Sequence, residues 1–115
     1  MTTFTLTTNE TDAALALVAY CLRQMGGNRP MDLENDPLTW VYPDVLIDAG
    51  WNRHEAAGTW NALLDKGVIY SHGVNEGIEE WVLADPAWRW LDGVWEAYRK
   101  KAYPDLENDH LFGTA

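Results

Sequence analysis

Between Asn52 and Ala84 a capped helical stretch runs, with no linker, into two alternating stretches joined by Gly73-Val74-Asn75-Glu76-Gly77. Asn52 is a good N-cap, Ala56, Trp60, Leu63 and Leu64 repeat at helical spacing, and Gly67 is a stop, so a helix is predicted to about Lys66. Val68 to His72 and Ile78 to Ala84 then predict a hairpin, with glycine and asparagine supplying the turn geometry.

Upstream, Thr7 and Glu10 have capping-box spacing and Asp12 sits near the positive end of a helix dipole, which predicts a helix from Thr8 to Met25. Leu15, Val18, Leu22 and Met25 form its buried stripe, and Gly26-Gly27 gives a left-handed stop. Residues 3–7 fit either a short strand or an apolar lead-in. Residues 28–37 are a polar connection. Leu38, Trp40 and Tyr42 alternate as a short strand, although Asp36-Pro37 suits a helix cap too. Pro43 to Ala49 is a compact helix closed by Gly50. Downstream, Asp85-Pro86 opens a last helix lined by Trp88, Leu91, Trp95 and Tyr98, with Trp90 and Val94 widening that side. Pro104 ends it. The chain is expected to be one domain over 1–103 with an irregular tail over 104–115.

A chain of 115 residues can bury a sizeable core without disulfide or metal staples. Its single cysteine, Cys21, reads as a small core residue in a reducing compartment. The N-terminus lacks the basic and apolar regions of a secretory signal, and no apolar run approaches the ~18 residues of a membrane span. A cytoplasmic protein without membrane contact is expected. Eighteen acids against eight bases give a net charge of −10, which opposes unaided nonspecific binding to nucleic acid and suits basic partners.

Signals for chemistry are weak. His54, His72 and His110 fall in no zinc-binding arrangement, and no nucleophile elbow, Walker loop or dinucleotide fingerprint is present. Acid pairs such as Glu79-Glu80 could do acid–base work only in a cleft, and strand neighbours point to opposite faces. The sequence DLEND occurs twice, at Asp32–Asp36 and Asp105–Asp109. Pro37 and His110 stand where a calcium loop needs glycine, so both copies read as polar connectors. No enzyme, metal site or cofactor is expected. Gly58 costs its helix about 1 kcal/mol relative to alanine and is read as allowing close approach of a neighbouring helix.

Counted from Gly50, the Asn52 cap, the buried Ala56, Trp60 and Leu63, and the exit Lys66-Gly67-Val68-Ile69 resemble a winged helix-turn-helix domain over about residues 43–84. The resemblance implies a mostly helical α+β fold with a two-stranded wing, here followed by an aromatic C-terminal helix. It also implies a DNA-reading alternative, with Arg53, His54 and Asn61 on the second helix at base edges and Arg99, Lys100 and Lys101 on phosphate. Two departures weigh against that alternative. Asp44, Asp48, Glu55, Asp65, Glu76, Glu79 and Glu80 outnumber Arg53 and Lys66, a local charge of −5 over Asp44 to Ala84. The wing carries three of those acids and no lysine or arginine.

Seven tryptophans remain to be placed. Trp60, Trp81, Trp88 and Trp95 are expected in the core. Trp40, Trp51 and Trp90 are harder to fit there, which raises an aromatic partner surface or a homodimer seam along the C-terminal helix. The function expected first is therefore an acidic protein–protein interaction module that imitates nucleic acid and occupies a basic surface of a nucleic-acid-processing complex. Asp44, Asp48, Trp51, Glu76, Glu79 and Glu80 would carry the contact. In general character this is similar to phage and mobile-element inhibitors of the anti-CRISPR and antirestriction kind.

Overall fold

The computed structural model describes residues 4–35 and 39–104. In chain order the elements are α1 (Thr8–Met25), a 3-10 turn (Pro30–Asn35), β1 (Trp40–Val41), α2 (Asp44–Asp48) and α3 (Arg53–Asp65). β2 (Ile69–Asn75), β3 (Ile78–Leu83), α4 (Asp85–Leu91), a second 3-10 turn (Asp92–Val94) and α5 (Trp95–Ala102) follow. The class is α+β, with one small antiparallel sheet in the order β1-β3-β2.

α1 begins at the expected capping box: Thr7 Oγ1 accepts from the Glu10 N–H at 3.1 Å, and the Thr7 N–H donates to Glu10 Oε1 at 2.9 Å. Every residue from Ala13 to Ala19 is buried, far more than the expected stripe. A helix buried all round is the centre of its domain, and its small alanines let α2, α3, α4, α5 and β1 all close on it. Met25 is only partly buried. Gly26 ends α1 at φ 73. Gly27 is needed for space, since a Cβ there would come within 2.9 Å of Leu22.

The first DLEND segment is structural. The Asp32 carboxylate accepts from the Asn28 and Arg29 N–H groups at 2.8 and 3.2 Å, and Leu33 plugs the core. The second copy, His110 and the tail beyond Pro104 lie outside the described residues, as do Asp36, Pro37 and Leu38.

Of the two readings for the N-terminal segment, residues 4–7 take the lead-in: they form no strand, and the Phe4 ring lies 5.9 Å from that of Trp90. β1 pairs with β3 (Trp40↔Val82, Val41↔Trp81), so the hairpin belongs to a three-stranded sheet rather than standing as two strands. The hairpin loop is also shorter than expected. Asn75 pairs with Ile78, leaving only Glu76 and Gly77 between them at φ 54 and 81, the positive-φ pair of a type I′ turn.

The single last helix is corrected. It breaks at Asp92–Val94, where Gly93 lowers helix propensity and Asp92 turns its carboxylate to Arg29 Nε and Nη2 and to the Met31 N–H, at 3.0, 2.6 and 3.1 Å. The N-cap is Ala84 rather than Asp85, whose side chain instead accepts from the Trp88 indole N–H at 3.2 Å. Gly58 is corrected too: a Cβ there would meet nothing within 4 Å, so no neighbouring helix requires it.

Trp60, Trp88 and Trp95 are buried, and Trp81 is half-buried with its ring edge-on to Trp60 at 5.9 Å. Trp51 and Trp90 are half-buried against the same core, and Trp40 is half-buried with its ring against His72. Cys21 is buried beside the Trp40 carbonyl, and burial pushes its thiol pKa up to about 12. Among the described residues no helix is long and apolar enough to cross a membrane.

Candidate functional site

α3 is held by a second capping box that the sequence reading identified only in part. Asn52 Oδ1 accepts from the Glu55 N–H at 2.8 Å, and Glu55 Oε1 accepts from the Asn52 N–H at 3.2 Å. Asn9 then ties the start of α1 to the α2–α3 turn: its amide nitrogen donates to Thr59 Oγ1 at 3.1 Å and its oxygen accepts from the Trp51 indole N–H at 3.0 Å. Trp51 is therefore a half-buried strut beside the turn. Nothing in the local sequence marks Asn9, because both its partners are more than forty residues away.

The acids expected to meet a partner divide into two groups. Glu76 and Glu79 are exposed near the hairpin tip and Glu80 is half-buried behind them. Glu79 lies opposite Val74, and Glu80 lies opposite Gly73, on the other face. Asp44 opens α2 two residues after Tyr42, which leaves the sheet next to the Val41–Trp81 pair, so it lies at the Glu80 end of β1. Asp48, one turn along α2, lines a separate groove of about 550 Å³ between α1, α2 and α5. Tyr20, Arg23, Tyr98 and Tyr103 also line that groove. Burial, with Tyr103 adding to it, holds the Tyr98 hydroxyl above its ordinary pKa.

The candidate acids are not among those tied down by ion pairs. Ion pairs join Arg29 to Asp92, Lys66 to Glu10, Arg89 to Glu34, Arg99 to Glu96 and Lys101 to Asp12. Among the described residues, none involves Asp44, Asp48, Glu76, Glu79 or Glu80. Among the described residues five of the cations are engaged in these pairs, and the acids of the hairpin and α2 make no ion pair.

Of the residues proposed for DNA, Arg53, His54 and Asn61 are exposed on α3. Arg99 is corrected: it is 5% exposed, with its guanidinium on Glu96. Its position on the face of α5 turned to α1 explains this, since the helix buries the arginine stem with Trp95. Lys101 donates to Asp12 at 2.9 Å, and Lys100 is exposed. The RKK run thus offers one solvent-facing cation without an ion pair among the described residues, not three. Among those residues, no group of three or more His, Cys, Asp or Glu side chains is placed to hold a metal ion.

No protein-family model matches the chain, and neither a curated protein nor a solved structure matches it.

Proposed function

We propose that the α1-β1-α2-α3-β2-β3 portion is a winged helix-turn-helix arrangement turned to protein recognition. On this reading the chain is a small acidic module that takes the place of nucleic acid on a basic surface of a nucleic-acid-processing protein. The element order, the β1-β3-β2 sheet and the projecting hairpin support the arrangement. The observation that carries the function is the set of carboxylates on α2 and the hairpin that make no ion pair among the described residues. Unpaired acids on a rigid fold present fixed negative charge, which steers a basic groove into contact and speeds association. Inhibitors carried by phages and mobile elements are the class this charge pattern suits.

A DNA-reading role draws on the exposure of Arg53, His54 and Asn61 along α3. Phosphate attraction needs several cations acting together, and the withdrawal of Arg99 and the pairing of Lys101 leave few.

The test is capture from the native host with the wild-type chain and with a variant carrying Glu76→Lys, Glu79→Lys and Glu80→Lys. Wild type is expected to recover a basic nucleic-acid-binding protein in a salt-sensitive complex that the variant loses. Retention of random duplex DNA by the wild-type chain at low salt, strengthened in the variant, would establish the DNA reading instead.

A further inference from the structure

The two faces of the sheet differ in a way that the charge pattern alone does not show. Ile69, Trp81 and Leu83 share the inner face, which packs on the core. Alternation puts Trp40, Val82 and Tyr70 in one cross-strand row on the outer face. The next row towards the hairpin tip pairs Glu80 with Gly73, and the one beyond pairs Ile78 with Asn75.

That middle row is a notch. Gly73 contributes no side chain, and a Cβ built there would meet nothing within 4 Å. The bulge between Ser71 and Gly73 leaves His72 without an opposite residue, and its ring stands edge-on to Trp40 at 4.9 Å, which walls the notch with aromatic surface. Tyr70 is 50% exposed on the same face and Ile78 65%. Glu80, opposite Gly73 in this row, is half-buried and has no ion pair among the described residues.

A carboxylate on a face that also carries exposed aromatic and aliphatic side chains is the complement of a guanidinium. Arginine can fork onto the carboxylate while its plane stacks on a ring, whereas a lysine ammonium is a compact, more strongly hydrated point charge. We propose that the outer face of the sheet seats an arginine side chain of the partner protein against Glu80, between Tyr70 and the Trp40–His72 pair, with Glu76 supplying attraction from the tip. This rests on the reading of the chain as a module for a basic protein, and it adds the chemistry of the anchoring contact.

The experiment titrates the full chain with two blocked peptides of equal charge, one alternating threonine with arginine and the other threonine with lysine, followed by calorimetry. Wild type is expected to bind the arginine peptide about three- to fivefold more tightly, the size of one exposed cation–π contact. Glu80→Gln should bring the two peptides to parity. Tyr70→Leu, which keeps apolar bulk and removes the ring, should do the same, and thermal melting of both variants verifies the fold. Glu76→Gln should weaken both peptides together and leave their ratio unchanged. Equal binding of the two peptides by wild type, or a preference that survives both notch substitutions, overturns the arginine notch while leaving the acidic module standing. Failure of wild type to bind either peptide overturns both.

Discussion

At the scale of single residues, Asp92 shows how an acid is committed to the fold. Burial raises its pKa, and the hydrogen bonds from Arg29 and the Met31 N–H outweigh that effect, so the group ionises below its ordinary range. A carboxyl depressed in the folded state contributes stability above its unfolded pKa and loses it as pH falls through the folded value. Arg29 is largely exposed, so solvent screens the pair. Asp92→Asn is expected to cost about 1 kcal/mol at neutral pH, with the deficit shrinking as pH falls below the unfolded carboxyl pKa. Chemical denaturation of both proteins across that range measures it. Gly58 is the opposite case. With open space around it and helical neighbours on both sides, Gly58→Ala should stabilise the protein by about 1 kcal/mol, read as a higher melting temperature.

At the scale of elements, the hairpin joins stability and recognition at one position. Glu76 is the one non-glycine with positive φ among the described residues, in a turn whose first central position favours asparagine. Glu76→Asn removes a steric cost and a negative charge together. Its melting temperature should rise while its affinity for a basic partner falls, and measuring both on the same sample separates this from simple unfolding. The last helix teaches a different lesson. Its apolar spacing is continuous, yet Asp92 leaves the helix for Arg29 and Met31, and the break sends the Trp95 indole N–H to the Asn28 carbonyl at 3.0 Å. Of the large hydrophobic side chains on α4, α5 and the turn between them, only Val94 is exposed, so this region offers a second copy little aromatic surface.

At the scale of the whole molecule, a net charge of −10 makes the folded state repel itself. Salt shortens the Debye length and so weakens repulsion between exposed charges that lie farther apart than it. Raising sodium chloride from low to physiological concentration should therefore raise the melting temperature of the free chain while weakening its complex with a basic partner. Lysine substitution at Glu76, Glu79 and Glu80 should flatten both dependences. Thermal melts and binding isotherms over one salt series check the pair of slopes.

Local chemistry can be read from short stretches of the chain. Both helix N-caps at Thr7 and Asn52, the stop at Gly26 and the hairpin all depend on residues a few positions apart, so their signatures are written in short windows. The acids of the candidate surface were legible for the same reason, since charge is a property of composition. Tertiary structure alone decided which charges stay free. Arg99 reads as a surface cation until α5 packs on α1 and buries it, and Asn9 reads as a first-turn residue until Trp51 and Thr59 arrive from far along the chain. The notch around Glu80 likewise exists only once β1 joins β3 and the bulge turns His72 onto Trp40. Burial and pairing between distant residues are set by how elements pack, and no local window carries that information.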